Sequence, residues 1–409
     1  MEKNKPPLDF DTSTTSSLFN QVCPNCLSKG MLLFYKLNKV PVHSVLNIPS
    51  KVEATNFPQG NISLGMCESC GFISNMDFNP ELLSYSSDCE ESQGFSGTYN
   101  EFAYRTAADL IEKYNLYKKN VIEIGCGKGE FLTLLCEMGD NLGVGFDPAY
   151  SPGRNKEGTK ARVTFIQDYY SERYSNYQGD LICCRMTLEH IHDPANFIDM
   201  VRRSIGNHSN VIVFFQVPDV TRILRDCAFE DIYYEHCSYF TPGAIGRLFL
   251  KNSFELLDVR SVYDEQYIIL EARPLQRGKG NRDHLKNDLA TMRDCAVKFQ
   301  KTYQSKVDFW RKQLSMIKTE NKKAVIWGSS SKGVSFLTNL GVYDEIQYVV
   351  DINPFRQGSY MAGTGQLIIA PDVLREYKPD IIIIMNSIYK KEIQKDLTKM
   401  GLTPQIMTL

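Results

Sequence analysis

Residues 120–132 carry the sequence NVIEIGCGKGEFL, and this segment decides the fold of the central part of the chain. It contains a short apolar strand, a turn with glycines at Gly125, Gly127 and Gly129, and the start of a helix. Glycine lets the backbone turn tightly and approach a ligand closely. The segment therefore predicts a strand–turn–helix unit whose turn binds a small molecule. The alternative is a turn that merely connects the strand to the helix.

Further apolar strands follow this turn at regular intervals. They are NLGVGFDP (141–148), VTFIQDYY (163–170), DLICCRM (180–186) and NVIVFFQVP (210–218). Strands that alternate with helical segments indicate a parallel, doubly wound sheet. We expect YIILEARP (267–274) to be a late edge strand of the same sheet. Before the sheet, FAYRTAADLIEKYNLY (102–117) has the pattern of an amphipathic helix.

Acidic residues stand where such a sheet meets its cofactor. Glu123 lies two positions before the first glycine, where a carboxylate suits a ligand amine. Asp147 ends the second strand, where a carboxylate can accept both hydroxyls of a ribose. Asp168 follows the third strand, where it could meet an adenine amine. The spacing G-x-G-x-G is not the G-x-G-x-x-G of dinucleotide binders. Together these residues favour S-adenosylmethionine (SAM), which has an amine, a ribose and an adenine but no pyrophosphate.

Four of the twelve cysteines form two C-x-x-C pairs, Cys23/Cys26 and Cys67/Cys70. Two such pairs supply the four sulfurs that zinc prefers in a structural site, and they leave no coordination position open for catalysis. The alternative is a redox dithiol, which needs a thioredoxin-like strand–helix context that neither pair has. His43 lies between the pairs and is a further candidate ligand. Because four cysteines suffice, we expect it to be a surface loop histidine.

The last ~90 residues repeat the strand-and-turn pattern and predict a second nucleotide-fold-like domain with four strands, in KKAVIWGSSSKG (322–333), EIQYVVDINP (345–354), GQLIIAP (365–371) and PDIIIIMNS (379–387). Its first loop, residues 328–333, has the sequence GSSSKG and stands between a strand and a helix. Backbone amides at such a helix start attract phosphate oxygens, and Lys332 adds a positive charge beside Ser329. Asp351 ends the next strand, as a ribose-binding carboxylate would. These residues predict that the domain helps to hold a nucleotide diphosphate; the alternative is a domain kept for packing.

Two more motifs follow strands four and five: TLEHIHDP at 187–194 and YYEHCSYF at 233–240. The glycine segment and the first motif resemble those of class I methyltransferases. The second motif, the cysteine pairs and the C-terminal loop together resemble deoxysugar C-methyltransferases over nearly the whole chain. The resemblance implies an α/β fold. A class I, Rossmann-like SAM methyltransferase domain would be flanked by a small N-terminal zinc-binding domain and a second Rossmann-like domain at the C-terminus.

The resemblance also implies a reaction, methylation at C3 of a nucleotide-linked 4-keto-6-deoxysugar. The ketone makes the C3 proton acidic, so the reaction needs a base and a donor to the enolate oxygen. His236 is implied as the base, with Tyr233, Glu235 and His190 around the sugar and Tyr85 near it. Tyr233 or His190 would donate to the oxyanion, and Glu235 would orient a neighbour or a sugar hydroxyl. The alternatives are a structural role for His190 or for His236, and a flexible linker around Tyr85 and residues 96–98.

Five segments result: a flexible tail (1–20), the zinc-binding domain (21–80), the methyltransferase domain (81–278), a long helix or linker (279–320) and the C-terminal domain (321–409). The long helix is predicted over residues 283–319, because apolar residues recur there mostly at three- or four-residue steps: Leu285, Leu289, Met292, Phe299, Tyr303, Trp310, Leu314 and Ile317. The net charge, 46 − 48 = −2, argues against a nucleic-acid or membrane partner. Without a signal peptide or a spanning segment we expect a cytoplasmic monomer or homodimer. Two other functions stay open: an O- or N-methyltransferase of another small anionic substrate, and a non-enzymatic zinc-bearing binding protein.

Overall fold

The computed structural model describes residues 17–154, 162–275 and 282–409, which form three β-sheets with helices around them. The predicted tail is only partly covered. Residues 1–16 lie outside the described residues, but residues 17–20 begin the first strand and so do not belong to a tail. They pair with the second strand, so these residues belong to the N-terminal sheet.

The N-terminal module is an antiparallel sheet that carries both cysteine pairs at its strand ends. Tight turns present the sulfurs: the Leu27 N–H donates to the Cys23 carbonyl and the Gly71 N–H donates to the Cys67 carbonyl, both at 2.8 Å. Gly71 has a φ of +74°, a left-handed conformation that favours glycine. The elements are β1 (Ser17–Val22), β2 (Lys29–Pro41), α1 (Lys51–Thr55), β3 (Gln59–Cys67) and β4 (Ile73–Asn75).

The central domain is a seven-stranded sheet in the order β11-β12-β9-β8-β5-β6-β7. Five of its strands, from β9 to β7 in that order, are parallel, as predicted. Its elements are α2 (Gly97–Tyr114), β5 (Asn120–Ile124), α3 (Glu130–Gly139), β6 (Leu142–Phe146), β7 (Val163–Ile166), β8 (Leu181–Arg185), α4 (Pro194–Ile205), β9 (Ile212–Pro218), α5 (Val220–Arg225), β10 (Ser238–Tyr239), α6 (Pro242–Lys251), β11 (Phe254–Val262) and β12 (Tyr267–Pro274).

Two strands of this domain differ from the sequence prediction. β12 is not the edge strand, because the antiparallel strand β11 covers it. β11 was not recognised in the sequence, because charged residues interrupt the apolar run of its segment FELLDVRSV. β10 leaves the central sheet and pairs with β4 as the fifth strand of the N-terminal sheet. This pairing fixes the loop before β10, which carries His236, against the N-terminal module.

One long helix, α7 (Leu289–Thr319), connects the central and C-terminal domains. It begins six residues later than the predicted start at Asp283, and residues 276–281 before it lie outside the described residues. The predicted apolar stripe is confirmed for six of its eight residues, because Met292, Phe299, Tyr303, Trp310, Leu314 and Ile317 are buried. Leu289 is only partly buried, and Leu285 precedes the helix. Phe299 packs edge-on against Tyr35 of β2, so the helix joins the N-terminal module to the rest of the core.

The C-terminal domain is a five-stranded, fully parallel sheet in the order β15-β14-β13-β16-β17. The sequence prediction found four of these strands and missed β17. The elements are β13 (Ala324–Trp327), α8 (Ser331–Leu340), β14 (Tyr348–Val350), β15 (Leu367–Ile369), α9 (Leu374–Tyr377), β16 (Ile381–Ile384), α10 (Lys390–Met400) and β17 (Gln405–Thr408). Among the described residues, no helix is both long and apolar enough to cross a bilayer.

Candidate functional site

A cavity of about 860 Å³ lies where the carboxyl ends of the two parallel sheets meet. The loops after β5, β6, β7 and β8 line it from the central domain, and the loops after β13, β14 and β16 line it from the C-terminal domain. In open α/β sheets, ligands bind at this end of the strands. The geometry therefore brings the glycine segment and the C-terminal GSSSKG segment to one site.

The glycine turn after β5 requires its glycines. Gly125, Gly127 and Gly129 have φ values of +69°, +52° and +81°, all in the left-handed region. A Cβ on Gly125 would lie 2.0 Å from Oγ1 of Thr187, which is too close for any side chain. The turn thus keeps its backbone tightly against the loop after β8, and all three glycines are explained by geometry.

Glu123, at the end of β5, is a buried carboxylate on the cavity wall. Its Oε2 atom has no hydrogen-bond partner among the described residues. Burial raises the pKa of Glu123 to about 8, and the nearby Arg185 guanidinium opposes that rise. An unpartnered carboxylate oxygen beside a glycine turn fits the amine that the sequence predicted there.

The other two predicted cofactor carboxylates already have protein partners. Asp147 accepts the Gly127 N–H at 2.8 Å and the Ala149 N–H at 2.7 Å, so it holds the glycine turn in place. Asp168 accepts the Tyr174 hydroxyl at 2.5 Å and forms an ion pair with Arg173. Both line the cavity. A contact of Asp168 with adenine would compete with these two partners and stays a prediction.

His236 lies at the centre of a group of aromatic side chains in the same cavity. Its Nε2 is 2.8 Å from the Tyr233 hydroxyl, and its ring centroid is 4.9 Å from that of His190. Nδ1 of His190 lies 2.9 Å from the Tyr85 hydroxyl and 3.0 Å from the Glu235 carbonyl oxygen. The structure thus brings together all five predicted sugar-site residues. The carboxylate of Glu235, however, has its hydrogen-bond partners outside this group.

Burial disfavours the protonated, cationic form of both histidines. It lowers the pKa of His190 below its usual range. Burial, His190 and Lys332 hold the pKa of His236 well below its usual range. Both imidazoles are therefore neutral at neutral pH, and a neutral imidazole keeps a lone pair that can accept a proton.

The carboxylate of Glu235 contacts the N-terminal module. Its Oε1 is 3.0 Å from Nδ1 of His43, and its Oε2 accepts the Ser44 N–H at 2.9 Å and the Ser44 hydroxyl. His43 is buried, and its Nε2 accepts the Ser84 N–H at 3.2 Å. The expectation of a surface loop histidine was therefore wrong. The four cysteines leave His43 without a role as a zinc ligand, but it is buried because its ring bonds to Glu235 and to the Ser84 N–H.

Glu189 is a site residue that the sequence reasoning missed. It is 1% exposed on the cavity wall, and neither of its carboxylate oxygens has a hydrogen-bond partner among the described residues. Burial raises the pKa of Glu189 to about 8. The signal was the acid that directly precedes His190 in the TLEHIHDP motif.

The four predicted zinc ligands form one cluster. The Sγ atoms of Cys23 and Cys70 are 3.7 Å apart, and those of Cys26 and Cys67 are 3.6 Å apart. All four sulfurs lie within 4.8 Å of one another. Four sulfurs bound at about 2.3 Å around a tetrahedral centre would stand ~3.8 Å apart. The cluster therefore has the dimensions of a four-cysteine zinc site.

The C-terminal loop residues do not all reach the cavity. Lys332 and Asp351 line it, but Ser329 is fully buried and does not. The Ser329 N–H and hydroxyl donate to Asp351 at 3.0 and 2.5 Å, so a direct contact of Ser329 with a substrate is contradicted. The Lys332 ammonium is 2.5 Å from Asp231, which also binds Arg222 at 2.7 Å.

The segment between the cysteine module and α2 is ordered and tied to the C-terminal domain. The carboxylate of Glu392 in α10 accepts the Ser96 hydroxyl at 2.8 Å and the Gly97 and Thr98 N–H groups at 3.1 Å. A carboxylate at a helix N-terminus satisfies amides that lack partners within the helix. A flexible linker is thus excluded for this segment, and the contact closes one side of the cavity.

Comparisons with known proteins cover both sheets that form the cavity. Residues 99–259 match the family model of a methyltransferase domain, and residues 285–403 match that of a C-methyltransferase C-terminal domain. The C-methyltransferase NovU of Streptomyces niveus is 24% identical over 286 residues, which are 67% of each chain.

Solved structures of methyltransferases are also similar. The dimethyltransferase RosA of Streptomyces davawensis is 17% identical, with a TM-score of 0.35, over 43% of this chain and 56% of its own. The magnesium protoporphyrin IX methyltransferase ChlM of Synechocystis PCC 6803, solved with bound SAH, is 15% identical, with a TM-score of 0.35, over 43% of this chain and 84% of its own.

Proposed function

Because the chain belongs to the SAM-dependent C-methyltransferases, we propose that it methylates C3 of a nucleotide-linked 4-keto-6-deoxysugar. One observation carries the proposal: a buried, neutral His236 with a tyrosine hydroxyl on its Nε2 shares a cavity with the glycine turn. A base and hydroxyl donors suit proton removal beside a ketone, and a transfer to oxygen or nitrogen does not require them in this arrangement.

The residues of the glycine turn fit SAM. Glu123 offers the ammonium group a buried oxygen that has no hydrogen-bond partner in the described part of the chain, and the backbone of the turn lies open to the cavity. Asp147 would meet the ribose with the lone pairs that its two amide contacts leave free. When bound, SAM supplies an electrophilic methyl group on a sulfonium, to which C3 bonds as S-adenosylhomocysteine leaves.

The protein's own part is to form and hold the carbanion. His236 takes the C3 proton on a ring nitrogen, and the electrons of the C–H bond form the C3–C4 double bond of an enolate. The negative charge then lies on O4, where the Tyr233 hydroxyl or His190 donates a hydrogen bond. The lowered pKa of His236 keeps it unprotonated and ready to accept. His43 and Ser44 hold the Glu235 carboxylate in place, and Glu235 thereby orients His236, the next residue in the chain.

The nucleotide part of the substrate is proposed to lie toward the C-terminal domain. Lys332 and Asp351 line that side of the cavity, and Ser329 supports it by fixing Asp351. A pyrophosphate would share the Lys332 ammonium with Asp231. The site would thus place the sugar between the two sheets, with its ketone toward His236.

We also propose a structural zinc ion in the N-terminal module. The four cysteine sulfurs have the separations of a tetrahedral site, and all four positions would be filled by protein. The cluster holds the ends of β1 to β4, and β4 pairs with β10 beside the His236 loop. The ion would therefore support the catalytic loop without taking part in the reaction.

Mass spectrometry tests the proposed reaction. The protein is incubated with SAM and TDP-, GDP- and UDP-linked 4-keto-6-deoxysugars, and in parallel with each sugar alone in D2O. We expect a gain of one methyl group and SAM-independent deuterium uptake beside the ketone for one of the sugars. Methylation at a hydroxyl or amine without deuterium uptake would support a heteroatom methyltransferase. SAM binding without any reaction would reject this substrate class, and absence of SAM binding would support a binding protein.

A further inference from the structure

Three buried polar atoms beside the proposed base have no hydrogen-bond partner among the described residues. They are Nδ1 of His236 and both carboxylate oxygens of Glu189. A ring nitrogen of His236 and a carboxylate oxygen of Glu189 lie within 4.8 Å of each other. A buried polar atom without a partner destabilises the folded protein. Three of them in one place therefore call for a common explanation.

The surroundings of His236 decide which nitrogen is available to Glu189. Nε2 lies 2.8 Å from the Tyr233 hydroxyl, so Nδ1 is the nitrogen without a partner. His236 is 5% exposed, and Nδ1 is shielded from solvent, so it is not the atom that meets a substrate. The oxygens of Glu189 are shielded as well. Glu189 is therefore placed to act through His236 rather than on the sugar.

We propose that Glu189 is the positioning residue of His236. Its carboxylate accepts a hydrogen bond from Nδ1–H, so the lone pair of the neutral ring is on Nε2. The inference rests on the proposed function, because it assigns the nitrogen that removes the C3 proton. After that transfer, Nε2 carries the substrate proton and the ring is an imidazolium beside the Glu189 carboxylate. The anion both fixes the tautomer and stabilises the cation that forms.

The pH dependence follows from the groups around the pair. His190, Tyr233, Tyr239 and Lys332 face His236, and Cys184, Cys237 and Tyr233 face Glu189. Lys332 is the cation among them, and it opposes protonation of His236. Burial alone raises the pKa of Glu189 to about 8, but an Nδ1–H of His236 donated to its carboxylate stabilises the ionised form and opposes that rise. The ionised Glu189 in turn favours protonation of His236, so its replacement by a neutral amide lowers the pKa of the base. The acid limb of the rate profile then moves to lower pH.

The test compares wild type, Glu189→Gln, Glu189→Asp and the control Glu112→Gln on the exposed face of α2. Deuterium uptake at C3 without SAM is followed from about pH 4 to about pH 9.5, a range that extends well below the ordinary titration of a histidine because the pKa of His236 is lowered, together with the KM for the sugar. We expect Glu189→Gln to slow uptake by about 100-fold or more, with SAM affinity and KM within about threefold of wild type. Its acid limb moves to lower pH by more than about one unit. Glu189→Asp restores part of the rate.

A substrate-independent measurement keeps this proposal separate from the reaction. Long-range ¹H–¹⁵N spectra of the histidine-labelled full chain, assigned with His236→Asn, report which nitrogen of His236 is protonated. We expect Nδ1–H in wild type and a changed tautomer in Glu189→Gln. If no sugar exchanges deuterium, the proposed function fails while the tautomer still decides this inference.

Two results would overturn the inference. The first is an unchanged His236 tautomer and an unmoved acid limb in Glu189→Gln. The second concerns metal, since Glu189, His190 and His236 could together hold an ion. Metal analysis should give the same content per chain in wild type and Glu189→Gln. An ion that is lost only in the variant would make this group a metal site instead.

Discussion

Nδ1 of His43 lies 3.0 Å from Oε1 of Glu235 and joins the cysteine-bearing N-terminal module to the loop that carries His236. The Ser84 N–H donates to the other nitrogen of His43, so Nδ1 bears the proton and donates to the carboxylate. Ser44 completes the contact from the same module. A residue next to the proposed base is thus held by a domain that contributes little else to the cavity.

His236→Asn removes the proposed base while keeping a side chain of similar polarity. We expect turnover and SAM-independent deuterium uptake to fall by about 10²- to 10⁴-fold, because general-base catalysis contributes that much. SAM affinity, measured by calorimetry, should stay unchanged. The exposed His208→Asn variant serves as the control. Wild-type turnover in His236→Asn would remove this residue as the base.

Glu123→Gln removes the carboxylate proposed to bind the SAM ammonium. We expect the Kd for SAM to rise about 10- to 100-fold, since a charged hydrogen bond of about 1.5–3 kcal/mol is lost. With a pKa of about 8 the carboxyl is largely protonated at neutral pH, so ionisation on binding releases a proton. Calorimetry in two buffers of different ionisation enthalpy measures that release. Equal proton release by Glu123→Gln would contradict the assignment, and Glu137→Gln on the exposed face of α3 is the control.

His43→Ala leaves the buried Glu235 carboxylate with the two contacts from Ser44. We expect the free energy of unfolding to fall by about 1–3 kcal/mol, the cost of an unsatisfied buried acceptor. Urea unfolding measures the change against His208→Ala, for which we expect almost none. Turnover should fall too, because the His236 loop loses a support. A stability equal to that of the control would show that the contact is dispensable.

Cys67→Ser removes one sulfur of the proposed zinc site. We expect the zinc content to fall from one ion per chain and the melting temperature to drop by about 5 °C or more. Elemental analysis measures the zinc content and calorimetry measures the melting temperature, with Cys295→Ser as the control outside the cluster. Chelation of wild type should reproduce the loss. A full zinc content in Cys67→Ser would place the ion elsewhere.

Lys332→Met tests the proposed nucleotide side of the cavity. We expect the KM for the nucleotide sugar and the inhibition constant of the free nucleoside diphosphate to rise by about tenfold, since one charged contact is lost. The Kd for SAM should not change. Asp231 keeps its ion pair with Arg222, so folding is preserved. Unchanged constants, equal to those of the exposed Lys312→Met variant, would indicate that this domain only packs against its neighbour.

The sequence alone determined the parts of the protein whose signals are local. Neighbours in the chain fix the structure of three kinds of feature, which can therefore be predicted from the sequence. These are glycines that must adopt a left-handed backbone, short strands of apolar residues and paired cysteines. The class I sheet, the C-terminal parallel sheet and the stripe of α7 were predicted on these grounds. The role of His236 came from resemblance, and the strand β11 was missed because its apolar residues are interrupted by charges.

Only the tertiary structure decided which side chains share a surrounding. His43 and Glu235 are 192 residues apart, and no spacing in the sequence indicates that they pair. Ser329 turned away from the cavity because its hydroxyl satisfies Asp351, and Glu189 was found only because both its oxygens are buried without partners among the described residues. A polar group's partner depends on what is desolvated beside it, and burial is fixed when distant elements pack. The sequence therefore predicted the chemical groups of the site, whereas the packing of distant elements determined the hydrogen-bond partners of each group.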